Sequence, residues 1–510
     1  MFVLPEMRQI ARIIMLAGAA ALLAAAPAEA GEVILVKDGQ AKRVHDPAVP
    51  SKREISLGPP MGGRAPLPGV AAQRKRKGRA DRRAVYRALV RNLRRGRIEK
   101  GDYRRWRRWY VRAIRTYKRL RRARREQLGY VIDSVEALAL SRRLTPTRMP
   151  AAFVQLERNR RYWRSLPYPG VGDQVSFKGS EVLYQYFPGE GLQLHPLSTF
   201  KKANHMYGDC QRGDATCDEA GLRRLLDEMT ELAVKRSRRF IAWEYAFHFG
   251  GGSPPWISGM ADATGIQALG RAAQLLGEPR YLDTARAALG AFETPPPRGV
   301  RTTGPAGGVH YLQYSFAPRL YIFNAFLQSL IGLYDFARIA QDDRARSLYA
   351  EAEPEAREEV PLSDVGDWSR YSYRGAESTR DYHELLREFL ASMCTRRQGP
   401  LYCDYAERYR GYQVDPPELE YVGPHTAVAD QETPLRFELS KLSAVEVKVY
   451  RGGDLVFSQL ATFRRGSGSF SFRPGAPGSL TVQLAAKELR TGLGKKDRAT
   501  GELEVQPATR

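Results

Sequence analysis

Tyrosine is the residue type that stands out as a source of chemistry in this chain: there are 26, and many fall beside Arg, Trp, His or Gly in loop-like sequence. The densest group is Trp368, Arg370, Tyr371, Tyr373 and Arg374, followed closely by Arg380, Asp381, Tyr382, His383 and Glu384. A second group holds His310, Tyr311, Gln313 and Tyr314, a third Trp243, Glu244 and Tyr245, and a fourth runs from Tyr184 to Tyr207. A single tyrosine is ordinarily a packing residue whose hydroxyl finds one partner. Tyr371 and Tyr373 sit in polar sequence, where a plain core role explains them less well. A phenol can give or take a proton when a neighbouring Arg or Lys stabilises the phenolate against its reference pKa near 10. Two tyrosines on opposite faces of a sugar ring would suit removal of a proton from one face and its return on the other. Arginines beside them suit a carboxylated substrate, which a guanidinium holds through two parallel hydrogen bonds.

Other catalytic signatures are missing. No G-x-S-x-G, phosphate-loop, dinucleotide-binding or H-E-x-x-H pattern occurs, and the seven histidines (45, 195, 205, 248, 310, 383 and 425) lack metal-site spacing. Neither a cofactor nor a metal is expected. Asp364, Asp367, Glu377, Asp381 and Glu384 could serve a hydrolase, but without any clear pairing of acids.

The elements that must position these residues are mostly helical. Amphipathic spacing predicts helices over about 218–238, 258–277, 279–293, 318–340 and 378–393, separated by Gly-rich and aromatic loops. Residues 175–207 read as short strands and an extended loop. The expected fold is multidomain: a mainly α (α/α) toroid over 166–412, with a short β-rich segment before it and functional loops at its mouth. Residues 413–434 read as a linker, 435–490 alternate as a small β-sandwich, and 491–510 read as a tail.

The 510 residues carry 81 Lys/Arg against 56 Asp/Glu, a formal charge of +25. That surplus is local: residues 71–130 hold 25 Lys/Arg and 4 Asp/Glu, a net of +21, so the rest is nearly neutral. Residues 31–81 read as a flexible Pro/Gly-rich basic tether with room for a short strand at Val33–Val36, and 82–165 as a basic helical hairpin whose aromatic seam packs inward. Residues 1–30 have the layout of a secretory signal: Arg8 and Arg12, an apolar run from Ile13 to Ala26, then Ala28-Glu29-Ala30. Its 14 apolar residues are short of a membrane span, which takes roughly 17–25. Retention of the segment as a tether at a membrane stays open, as does a homodimer. An extracytoplasmic location, secreted or in the cell envelope, follows. Export argues against a nucleic-acid partner for the basic arm and favours an anionic polysaccharide. Close spacing in an oxidising compartment makes Cys210–Cys217 and Cys394–Cys403 the simplest disulfide pairing, though four cysteines allow three connectivities.

Four ordered stretches resemble one family. Asn324 to Asp335 is similar to the signature helix of the D-glucuronyl C5-epimerases, which convert D-glucuronate to L-iduronate within polysaccharide chains. Gly191 to Asn204, Pro255-Trp256 through Met260, and Asp381-Tyr382-His383 agree with that family in order. The resemblance implies a uronate C5-epimerase of α/α toroid fold, with the polymer lying across a cleft. It implies catalytic Tyr371, Tyr382 and Tyr314, with Arg370, Arg374, Arg380, Gln313, His383, Asn204 and Trp256 in contact with substrate. Two departures stand out. The family's catalytic tyrosine is followed by Asp-Leu-Arg, here Ser372-Tyr373-Arg374, and Gln313 occupies a glutamate position, where an amide cannot act as a base. A uronate-polymer lyase or hydrolase of the same fold, and a non-catalytic anionic-polysaccharide-binding envelope protein, remain alternatives.

Overall fold

A computed structural model describes residues 31–55, 57 and 79–508. The signal-segment reading of 1–30 and the central part of the tether reading lie outside the described residues. The chain enters through strands β1 (Glu32–Lys37) and β2 (Gln40–His45) and a one-turn helix, α1 (Lys52–Ile55). Helices α2 (Arg79–Arg94), α3 (Lys100–Arg119), α4 (Arg122–Leu140) and α5 (Met149–Trp163) follow, then strands β3 (Gln174–Phe177), β4 (Ser180–Phe187) and β5 (Gly191–Leu194). The five strands form one sheet in the order β2-β1-β3-β4-β5, with β1 parallel to β3. Residues 31–55, read from sequence as the start of a tether, therefore build a sheet edge. Val33, Ile34 and Val36 bury there against a strand some 140 residues later, a pairing no local pattern reveals.

The basic segment is four helices rather than a hairpin. The chain turns extended at Leu120 and Arg121 between α3 and α4, and α5 supplies the surface that α3 packs on. Trp106 stacks on Phe153 with ring centroids 5.6 Å apart, and the Tyr110 hydroxyl donates to the Glu136 carboxylate at 2.6 Å.

Next come α6 (Pro196–Arg212) and α7 (Glu219–Leu232), the two-residue strands β6 (Val234–Lys235) and β7 (Ile241–Ala242), and α8 (Gly259–Leu276) with α9 (Arg280–Ala288). The hairpin of β8 (Arg301–Thr303) and β9 (Val309–Tyr311) precedes α10 (Phe323–Ile339), α11 (Asp343–Leu362), α12 (Arg380–Thr395) and α13 (Pro400–Val414). These eight helices are four successive α/α hairpins. Their first members, α6, α8, α10 and α12, pack side by side, and α8 and α10 are buried almost all round. Gly332 on α10 lets the backbones close up: a Cβ there would lie 2.4 Å from the Ala263 carbonyl oxygen.

The segment read as an extended loop to 207 is helical from Pro196. Proline is well placed in a first helical turn, and His195 caps the helix by accepting the Ser198 N–H at 3.1 Å. Two helices were not anticipated. Pro354 and Pro361 inside α11 mask its helical period, and α13 lies between the last expected helix and the linker. The two cysteine pairs are bonded, Cys210 to Cys217 at the end of α6 and Cys394 to Cys403 between α12 and α13.

The C-terminal module is larger than the alternation over 435–490 suggested. It contains β10 (Leu419–Gly423), β11 (Thr426–Val428), β12 (Thr433–Leu439), β13 (Ser443–Arg451), β14 (Asp454–Phe463), β15 (Gly466–Phe472), β16 (Gly478–Glu488) and β17 (Lys496–Gln506). The supposed linker thus supplies two strands and the supposed tail one. β17 is polar enough to read as a tail, burying Leu503 and Val505 alone among its apolar side chains. Sheets β10-β12-β15 and β11-β17-β16-β13-β14 enclose a core of their own around Leu435, Phe437, Val447 and Val482. Among the described residues no helix is long and apolar enough to cross a membrane.

Candidate active site: a cluster of buried tyrosines

Three loops and one helix end bring the site together. The first loop, 243–257, folds back so that Tyr245 and Trp256 exchange backbone hydrogen bonds of 2.8 and 3.2 Å. Their rings stack at 4.2 Å with planes 6° apart, and the Trp256 indole N–H donates to the Phe247 carbonyl at 2.8 Å. The second, 312–316, runs alongside it. Gly259 N–H donates to Leu312 and Ser315 N–H to Ile257, both at 3.0 Å, which fixes Tyr314 edge-on to Trp256 at 5.7 Å.

The third loop, 363–378, is a tight double-back. Tyr371 N–H donates to Ala376, Ser378 N–H to Ser369, and the Trp368 indole to Ser378. Arg374 takes a left-handed φ of +54° at its tip. The loop leads directly into α12, so Tyr382 in that helix's first turn meets Tyr371, with ring centroids 4.8 Å apart.

Tyr371 and Tyr382 are each 9% exposed and Tyr314 only 3%. Burial pushes the Tyr314 phenol well above its ordinary value, and the neighbouring Tyr371 and Tyr382 push it further. Burial, then Tyr382, does the same to Tyr371. All three are therefore within electrostatic reach of one another, which is the convergence the sequence suggested for Tyr314, Tyr371 and Tyr382. The Tyr314 hydroxyl is buried against Tyr371, and the adjacent Gln313 Oε1 is buried with no hydrogen-bond partner among the described residues. Buried polar atoms are overwhelmingly paired, so the Gln313 amide oxygen is left as an acceptor beside the tyrosines.

The expected arginine anchors are arranged differently. Arg370 donates to the Gly375 carbonyl at 3.0 Å and braces the loop. Arg374 is exposed and lies over the Tyr373 ring at 5.1 Å, and Arg380 is exposed at the start of α12. No cation figures among the influences on Tyr371, so burial decides the direction of its shift and the phenol is the resting form.

His383 and Asn204 also lie outside the cluster. His383 faces away from its neighbour Tyr382, stacked on Trp368 at 3.7 Å, with its ring nitrogens bonded to Ser369 Oγ and the Tyr409 carbonyl. Burial lowers it to about 4, which makes it a neutral structural pin. Asn204 accepts from Arg271 at 2.7 Å within a polar network that includes Gln267, Asp335 and Arg396 and ties α6, α8, α10 and α12 together. Trp256 is 1% exposed, so it is the wall behind Tyr314 and not a platform for sugar.

Four of the region's five carboxylates are occupied, and the fifth, Asp381, is exposed at the start of α12. Asp367 and Glu377 both pair with Arg490 of the β module, at 3.0 and 2.6 Å, and Arg490 also lies over Trp368 at 5.6 Å. Asp364 receives the Tyr412 hydroxyl and Arg408, and Glu384 pairs with Arg387. The β module thereby clamps the loop that carries Tyr371, and these acids are committed to ion pairs and hydrogen bonds, not set out as a hydrolytic pair. Behind the 309–314 strand, His310 Nδ1 bonds the buried Glu359 carboxyl at 2.7 Å and holds β9 against α11.

Sequence reasoning passed over three groups. Tyr245 belongs to the cluster through Trp256 and its electrostatic effect on Tyr314; its Trp-Glu-Tyr run was visible but indistinguishable from a packing motif. Asp262, at the start of α8, is raised by burial to about 8. Glu190 is raised by burial to about 7 beside Tyr130 and His248, the latter two bonded at 2.8 Å. Neither carboxyl sits in a recognisable motif. Among the described residues no group of three or more His, Cys, Asp or Glu side chains could hold a metal ion.

Residues 236–411, which include Tyr245, Trp256, Tyr314, Tyr371 and Tyr382, match the family described as D-glucuronyl C5-epimerase C-terminus. The D-glucuronyl C5-epimerase of Caenorhabditis elegans is 28% identical over 178 residues, covering 31% of this chain and 29% of that protein. An uncharacterized protein of Methanocaldococcus jannaschii is 25% identical over 190 residues, covering 36% of this chain and 62% of its own. The chain thus spans under two thirds of either relative's length. An endo-β-1,4-glucanase from Acetobacter xylinum superimposes with a TM-score of 0.28 at 16% identity, over 39% of this chain and 63% of that one. That score is too low to relate the two folds.

Proposed function

We propose, from the premise that residues 236–411 belong to the D-glucuronyl C5-epimerase C-terminal family, that the protein is a polysaccharide uronate C5-epimerase. The observation that carries this reading is the convergence of the buried phenols of Tyr314, Tyr371 and Tyr382. One tyrosine, as phenolate, takes the proton from C5. The carbanion is delocalised into the adjoining carboxyl, and the second tyrosine delivers its hydroxyl proton to the opposite face. The first tyrosine is left protonated and the second deprotonated, and Tyr314, beside both, relays the exchange with solvent that resets them. Gln313 offers its amide oxygen and N–H groups to substrate and takes no proton. The four α/α hairpins support closure of the helical domain as a toroid, and the signal-like sequence of residues 1–30 supports an extracytoplasmic site of action.

The decisive product is L-iduronate. We expect NMR of a glucuronate polymer incubated with the protein to show iduronate signals. Unsaturated, ultraviolet-absorbing ends without iduronate would point instead to a lyase, which removes the same proton but expels the C4 substituent. Binding with neither product would leave a polysaccharide-binding protein.

A pH dependence follows from burial. The tyrosine that acts as base is raised above its usual value near 10, so at neutral pH less than about one part in 10³ is phenolate. Turnover should therefore climb with pH from 6 to 9 by close to tenfold per unit, without a plateau below the ordinary tyrosine range. A plateau near neutrality would identify a base other than a tyrosine.

A further inference from the structure

The basic surplus has a geometry of its own. On α3, Arg104, Arg108, Arg112, Arg115 and Arg119 recur at intervals of three and four, all exposed, and none is in an ion pair among the described residues. At 100° per residue they fall within about 80° of one another and line a stripe roughly 22 Å long. The opposite face carries Trp106, Tyr110 and Ala113, buried against the rest of the helical extension. The helix is thus amphipathic, but its apolar side is already used.

That distinction selects the partner. An interfacial membrane helix must present an apolar face to the lipid, and here that face is covered by α5. Base readers interleave the arginines with exposed aromatic platforms; on α3 Trp106 and Tyr110 are buried, and Trp109 is half-buried beneath Arg105 at 5.7 Å. What the stripe offers is a straight row of unpaired guanidinium groups, suited to a flexible chain bearing regularly spaced carboxylates. We propose that the α3 stripe is a second binding surface for the uronate polysaccharide, holding the chain outside the tyrosine cluster. This rests on the substrate class proposed above.

The test separates binding from catalysis. A variant with Arg104, Arg108, Arg112, Arg115 and Arg119 each changed to Gln keeps helix propensity and loses five charges; circular dichroism and thermal melting confirm its fold. Wild type should bind immobilised polyglucuronate with a steep salt dependence, and the variant at least tenfold more weakly at low salt with a shallower slope. Turnover on an oligosaccharide of a few sugars should be the same for both. Equal polymer affinity overturns the proposal, as does a loss seen only with phosphatidylglycerol vesicles or only with duplex DNA. If neither protein turns over the oligosaccharide but the polymer affinities differ as expected, the catalytic reading fails and the binding stripe stands.

Discussion

Tyr371→Phe and Tyr382→Phe are each expected to fold normally and to lose turnover by about 10²-fold or more, the usual contribution of a positioned proton-transfer group. Each substitution removes one oxygen from a ring whose position is fixed by the loop 363–378 and by α12, and the 4.8 Å ring contact survives without it. The loss should appear in kcat with little change in KM, because the hydroxyl is asked to work only as the proton moves. Tyr314→Phe should cost less, since it relays the exchange that resets the pair but faces neither reacting step alone. Arg374→Ala is the control: its side chain is exposed beside Tyr373, and activity should remain within about twofold of wild type. Were the phenylalanine variants as active as that control, the tyrosine pair would not be the proton-transfer pair.

Trp256→Ala should produce the largest loss of stability. The indole touches Tyr245, Phe247, Phe249, Tyr314 and Phe316, and its N–H satisfies the Phe247 carbonyl. Truncation leaves a cavity bounded by five rings and an unpaired carbonyl, at a cost of about 3–5 kcal/mol. Denaturant unfolding measures it. Tyr314 loses its wall at the same time, so turnover should fall further than the folded fraction does. Trp256→Phe, which refills much of the cavity, should recover most of the stability. A change below about 1 kcal/mol for the alanine variant would mean that the aromatic wall can collapse without holding Tyr314.

The parts of this site that could be read in the sequence were those whose chemistry is local. Tyr371 and Tyr382 stood out because polar, Arg-rich sequence surrounds them, and the loop that joins them is short enough to bring them together. Which way a side chain leaves a helix is not local. His383 follows Tyr382 directly, yet α12 turns it by 100° onto Trp368, and Asn204 joins a network whose other members lie on α8, α10 and the end of α12. The arginines misled for a related reason: adjacency in sequence to Tyr371 says nothing of whether a guanidinium reaches it, and Arg370 satisfies a turn carbonyl instead. In the fold, the amphipathic helices α7, α8, α10 and α12 were legible from periodicity, as was the short strand at Val33–Val36 within β1. The strands β11 and β17, and the partner of β1 in β3, were not, because each pairing is non-local. Arg490 shows the same limit in function, since its grip on Asp367 and Glu377 crosses more than a hundred residues.

The central claim is that this protein moves the C5 proton of uronate residues between two tyrosines. It is tested most directly by incubating wild-type protein with glucuronate polymer in deuterated water and measuring deuterium at C5. The account predicts deuterium at C5 in both recovered glucuronate and newly formed iduronate, reduced about 10²-fold or more in Tyr371→Phe and Tyr382→Phe. A polymer that binds the wild-type protein and emerges with C5 fully protonated would contradict it.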